Sequence, residues 1–344
     1  SVEEKISRRM ADAKAHAELA ESTPEGAEAE LREAISIAGA DRVSIDGRSG
    51  GSGRYLLFRN TNATASDAGP VIQFDDGSTD CVLRNTVLEG NGSSAASGTV
   101  MLGATGANES LLIAENDIRD PTAGTLGAPA NALYGSSAGL ANIVVSDNEI
   151  RNWSKGGVAL PTAGDSIAVM DNSFYSDQAS APTTTQTAIA VGGSGAGHTV
   201  TGNWIGGSAP LCGGSAWENT ASAQFTGVSL TASGTSVPAQ VQGNTIANIL
   251  LSGGGSAGLL GITTSSGAVR IGTTAGNTIG DATTANSIEI TGAASGLIRG
   301  IVVTSTVPAE VENNLIGNIS AADPGAAGTF RSEEHTSELQ SPLC

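Results

Sequence analysis

The stretch VVSDNEIRNW, residues 144–153, reads as a short apolar strand, an acid–asparagine corner, and an apolar residue two places further on. The same phrase returns down the chain as LRNTV at Asn85, AENDI at Asn116, MDNSF at Asn172 and TGNWI at Asn203. It continues as QGNTI at Asn244, AGNTI at Asn277 and ENNLI at Asn314, with FRNTN at Asn60 as a first, imperfect copy. Val87, Ile118, Ile150, Phe174, Ile205, Ile246, Ile279 and Ile316 follow the aligned asparagines at plus two. Ten to fifteen residues before each asparagine a second strand begins, often at glycine, as in GTVML, GGVAL, TGVSL and RGIVV.

A unit of 24 to 41 residues built from short strands and polar turns is the signature of a solenoid. The period and the lack of long helical patterns predict an all-β, right-handed parallel β-helix. Equivalent residues then stack about 4.8 Å apart as ladders. The asparagine is placed at a corner, where its amide meets the backbone and the asparagine of the next coil.

Composition agrees. Of 344 residues 47 are glycine, aromatics make up 3 % and charged residues 15 %. Such a chain builds its core from many small strands rather than a few large side chains. The net charge of −18 argues against nucleic acid, whose phosphates demand a basic face, and against anionic lipid. No apolar run approaches membrane-spanning length. Cys81, Cys212 and Cys344 are too few and too scattered for a disulfide framework or a zinc site.

The two ends differ from the middle. Residues 1–34, rich in Ala, Glu and Arg, read either as a short helical cap or as a fragment end. Residues 331–344, RSEEHTSELQSPLC, resemble the in-frame translation of a sequencing adapter from Arg331 to Ser341 and are set aside. The repeats are expected over 35–330.

Three segments carry a wider resemblance: ISIAGADRVSIDGRSGGSGRYLLFRNT (35–61), GNWIGGSAPLCGGSAW (202–217) and AGNTIGDATT. They resemble secreted β-helix proteins of Bacteroidota-type bacteria that end in a sorting domain for surface export. That resemblance implies shape and a secreted or outer-surface location, not chemistry.

Candidate sites are few. The residue before the aligned asparagine is Arg84, Glu115, Asp147, Asp171, Gly202, Gly243, Gly276 and Asn313 in successive coils. Stacked Glu115, Asp147 and Asp171 are spaced to share Ca²⁺, with Arg119 and Arg151 nearby, as in the β-helix polysaccharide lyases that this pattern resembles. The same column, dominated by Gly, Asp and Asn, fits a left-handed corner better. Asp75, Asp76 and Asp80 in FDDGSTD offer a second acidic loop, more simply a solvated turn. Ca²⁺ is thus the one cofactor candidate, and no cofactor is required. A single histidine in the repeats, His198, cannot make a triad, and Lys155 reads as a surface residue.

Trp153, Tyr175, Trp204 and Trp217 lie just after corners or in the following loop, where exposed rings would stack on sugars; the simpler reading has them covering coil edges. Long excursions after Gly207, Leu251 and Gly280 suggest a variable binding face. The expectation is a secreted scaffold with a structural, adhesive or glycan-binding role toward extracellular glycans or surface components. The alternative is a polysaccharide lyase or glycoside hydrolase, and a passive stalk is the third reading.

Overall fold

The computed structural model describes residues 35–60, 62, 69–103, 105–121, 127–178, 182–285, 287–291, 296–305 and 307–321. The expected cap at 1–34 and the adapter-like end lie outside these. Among the described residues there is no helix. The described residues wind through nine coils. Each contributes one strand to each of three nine-stranded sheets, and the last four add a strand to a fourth. All pairings between named strands are parallel, each strand binding its equivalent in the coils before and after. This is a parallel β-helix.

The opening stretch holds two strands of coil 4, Val144–Ser146 in the second sheet and Glu149–Arg151 in the third, with Asp147 and Asn148 as the corner between. Alternation sends Val145 and Ile150 inward, both fully buried. In register, Leu88, Ile118, Ile150, Phe174, Ile205, Ile246 and Ile279 form one inward column of the third sheet. Leu83, Ile113, Val145, Val169, Val200, Val241 and Ile271 form another in the second.

The corner amides form a continuous ladder. Asn116, Asn148, Asn172, Asn203, Asn244 and Asn277 each donate Nδ2 to Oδ1 of the next asparagine at 2.8–3.1 Å, ending on Asn314. Each backbone N–H donates to the same oxygen, and each Nδ2 also donates to a second-sheet carbonyl one coil back, as Asn148 does to Ile113. Only an amide, with two donors and a two-lone-pair acceptor, satisfies all of these at a buried corner. Leaving such groups unpaired would cost roughly 1–3 kcal/mol each.

Coil 2 corrects the alignment by one residue. Leu83 pairs with Ile113, so Thr86 rather than Asn85 stands on the ladder, donating Oγ1 to Asn116 Oδ1 at 2.8 Å. Leu88 rather than Val87 is then the inward residue. Asn60 follows the third-sheet strand Leu56–Arg59 and is no corner asparagine.

The residue before the ladder is left-handed: Asn85, Glu115, Asp147, Asp171, Gly202, Gly243 and Asn313 all have φ between +52° and +64°. Arg84 does not belong to this column, and Gly276 follows three extra residues and is not left-handed. The glycine inside many first-sheet strands has a packing cause. A Cβ on Gly157, Gly227, Gly261 or Gly300 would stand 2.5–2.8 Å from the inward Phe174, Ile246, Ile279 or Ile316 of its own coil.

The long excursions are not all loops. Strands Trp217–Asn219, Ile249–Leu251, Ile288–Ile290 and Ile319–Ala321 form the fourth sheet. Ile249, Leu251, Ile288 and Ile290 are buried there and extend the core. Trp217 opens this sheet inside an edge-to-face stack, Phe174–Trp153–Trp217–Phe225, with ring centroids 5.9, 5.0 and 5.0 Å apart.

Candidate functional site

The outer face of the third sheet concentrates the chemistry. Two outward columns run along it. One carries Val87, Asp117, Glu149, Ser173, Trp204, Thr245 and Thr278; the other carries Arg59, Glu89, Arg119, Arg151 and Tyr175.

Because successive coils are so close, their charges must pair or repel. Glu89, fully buried, accepts from Arg59 and, at 2.7 Å, from Arg119. Arg119 also meets Asp117 at 2.7 Å, which meets Arg151 at 3.2 Å, which meets Asp177 at 2.6 Å. Arg54 arrives from the loop of coil 1 and bonds Glu149 at 2.8 Å. Tyr175 donates its hydroxyl to Glu149 at 3.0 Å, and the Arg151 guanidinium lies 5.6 Å from its ring centroid. Four arginines thus face four carboxylates.

Protonation follows from burial and partner. Burial raises Asp117 despite its two arginines, and it raises Asp120, which faces Asp177. Burial also opposes ionisation of Glu89 and Glu149. Arg59 and Arg119 in one case, and Arg54 with Tyr175 in the other, outweigh it and hold both carboxyls below their usual range. Burial pushes the Tyr175 phenol well up.

The network ends at a polar cleft of about 310 Å³. It is lined by Ser176, Asp177, Gln178, Ser208, Ser215, Ala216 and Glu218. One wall is the excursion after Gly207, tied down by Asn248 Nδ2, which donates to the carbonyls of Cys212 and Gly214 at 3.0 and 3.2 Å. Within the cleft Ser215 donates its hydroxyl to Ser208 at 3.0 Å. Asp177 is oriented by Asn152 Nδ2 at 2.5 Å, and Glu218 accepts from Ser252 at 2.7 Å.

Three of the four aromatic candidates are interior: Trp153 and Trp217 are 1 % exposed and Tyr175 2 %. Their ring faces are occupied by neighbours and are closed to a sugar. Trp204, at 37 %, keeps an open ring on the outer face. Trp153 and Trp217 pack into the core, so neither is a ring left over a coil edge.

The acidic candidates lie apart in two groups. Glu115, Asp147 and Asp171 stack as exposed left-handed corners; burial and then the charge of Asp147 raise the Asp171 carboxyl. In the other group, Asp75 accepts from Gln73 at 3.0 Å and from Thr105 Oγ1 at 2.5 Å, while Asp76 and Asp80 are exposed left-handed turn residues. Among the described residues no three His, Cys, Asp or Glu side chains gather to hold a metal ion.

His198 is fully buried. Its Nδ1 accepts from the Ile167 N–H at 3.3 Å, and burial lowers its pKa. Cys212, pushed up to about 12 by burial, and buried Cys81 are held as thiols. Lys155 is exposed.

The charged network and the cleft escaped sequence reading because their members come from different coils. The only signal was the presence of arginines at plus three from the asparagine, Arg119 and Arg151. No protein-family model, curated protein or solved structure matches this chain.

Proposed function

We propose that this chain is part of a secreted or surface-displayed β-helix that acts as an adhesive scaffold and holds an extracellular glycan in the cleft bounded by Asp177 and Glu218. The observation that carries this is the lining itself. Three serine hydroxyls, one amide and two carboxylates converge on about 310 Å³, a donor–acceptor set suited to sugar hydroxyls. The exposed ring of Trp204 on the same sheet face offers a stacking surface.

Binding is favoured over turnover because the charged groups beside the cleft are spent on one another. Asp177 is held by Arg151 and Asn152. A glycoside hydrolase needs a protonated acid and a free carboxylate across the scissile bond. The two carboxylates of the cleft keep hydrolysis as the second reading.

Glycan-array screening followed by calorimetry of the best hit tests both. Ser215→Ala and Trp204→Ala are each expected to weaken binding about five- to tenfold, one lost hydrogen bond or stacking contact. No retained glycan, or binding indifferent to both changes, removes the adhesive reading and leaves the stalk. Cleavage of the bound glycan that is lost in Glu218→Gln would establish the hydrolase instead.

A further inference from the structure

The loop between the second- and third-sheet strands of coil 1, residues 47–55, lies across its neighbours as a strap. Its base is closed by the Tyr55 N–H donating to Gly47 O at 2.8 Å, and Ser49 and Ser52 pair across its tip. Gly50, Gly51 and Gly53 all have positive φ, and a Cβ on Gly50 or Gly51 would meet nothing within 4 Å. Such a tip is built from freely turning residues in open space.

The strap's single hydrogen-bonded hold on coils 3 and 4, among the described residues, is Arg54. Its Nε donates to the carbonyl of Glu115 at 2.7 Å and its Nη1 to Glu149 Oε1 at 2.8 Å. These partners are 61 and 95 residues away in sequence.

The seat exists without the strap. The Glu115 carbonyl is presented by its left-handed corner, and Glu149 is fixed from the far side by the Tyr175 hydroxyl at 3.0 Å. Asp117 stands one coil before Glu149 in the same outward column. It is 7 % exposed, and its Oδ1 is buried with no hydrogen-bond partner, an unspent acceptor beside the seat. Take Arg54 away and three arginines face four carboxylates, so the seat demands a cation. A carbonyl and a carboxylate from successive coils, met by Nε and Nη1 of one planar fork, select a guanidinium over a compact ammonium.

We propose that Glu149, Asp117 and the Glu115 carbonyl form an acceptor site for an arginine side chain, filled in cis by Arg54 and in trans by an arginine on a partner segment once the glycine-rich strap swings away. The site is separate from the cleft and does not depend on its occupant.

The test uses the full chain with Arg54→Ala, probed with N-acetyl-arginine amide by calorimetry. Removing the competing strap arginine is expected to tighten binding of the probe about tenfold or more relative to wild type, since the site is no longer mostly occupied. N-acetyl-lysine amide should not bind, and R54A/E149Q should lose the arginine signal. Arg54→Lys, which keeps the charge and loses the fork, should behave like the alanine variant. Equal probe affinity in wild type and both single variants, or equal binding of the lysine probe, overturns the proposal.

Discussion

Coils 2–5 and coils 6–9 share an interior and differ outside. The corner ladder, with Thr86 in place of asparagine in coil 2, and the apolar columns run through both. Outside, the third sheet of the early coils presents Glu89, Asp117, Arg119, Glu149 and Arg151. In the later coils the equivalent positions are Trp204, Thr245 and Thr278, while Gly206 and Gly280 stand at the end of the strand. Those glycines are enforced: a Cβ would sit 1.6 Å from Ala247 O at Gly206, and 1.8 Å from Gly317 O at Gly280. Beyond them the chain runs on into the strands of the fourth sheet, so apolar burial takes the place that ion pairing holds in the early coils. The interior is set by what each coil must offer the next; the exterior is free to vary.

The junction of the two regions is the aromatic stack. Trp217→Ala should have the largest effect, about 4 kcal/mol, as a large buried side chain is lost. In a nearest-neighbour solenoid it should also split urea unfolding into two transitions. A single transition with an unchanged slope would mean the halves are not separable there.

Asn172→Ala strikes the feature both regions share. It strands the N–H of Asn148 and the carbonyl of Val145, for about 3 kcal/mol. Asn244→Ala, which strands the N–H of Asn203 and the carbonyl of Val200, should cost the same within about 1 kcal/mol, because the ladder repeats its geometry. Unequal losses would show that the outer layer feeds back on the corner.

Glu89→Gln acts on the early region alone. It removes the buried charge shared by Arg59 and Arg119 and keeps only an amide acceptor, at about 2 kcal/mol, less than for a fully buried pair because both arginines reach solvent. The loss should shrink in 1 M salt by less than half, since the carboxylate itself is shielded.

His198 gives a pH signature. Its folded pKa is depressed by burial, so the native state binds fewer protons than the unfolded chain. Its favourable contribution is complete above the unfolded value, near 6.5, and is lost as pH falls. His198→Leu should therefore flatten the stability profile below about pH 6.5. A parallel profile in wild type and variant would place the acid sensitivity in the carboxylates instead.

The smallest effect is expected at the corners. Asp171→Gly relieves a left-handed non-glycine residue and its repulsion from Asp147 and should stabilise by up to about 1 kcal/mol. Calcium should leave the melting temperature of both proteins unchanged. A rise with calcium in wild type that Asp171→Gly abolishes would make the corner column a cation site.

The coil is written in the residues themselves: VVSDNEIRNW already contains two strands, a left-handed corner and a ladder amide, because strand alternation and corner chemistry are local. The sequence even carried its own ambiguity at coil 2, where Asn85 and Thr86 are both plausible corner residues and only the pairing of Leu83 with Ile113 chooses between them. The four short fourth-sheet strands were hidden, since no recurring corner asparagine marks all four as Asn148 and its equivalents mark the three-residue strands of the other sheets. What the tertiary structure alone decided is which outward side chains meet. Arg54 finds Glu149 across 95 residues, and Asp177 and Glu218 come to one cleft from either side of an excursion. Stacking brings equivalent positions of successive coils together whatever the loop lengths between them, and those lengths, varying from coil to coil, erase from the sequence any fixed spacing that would announce the contact.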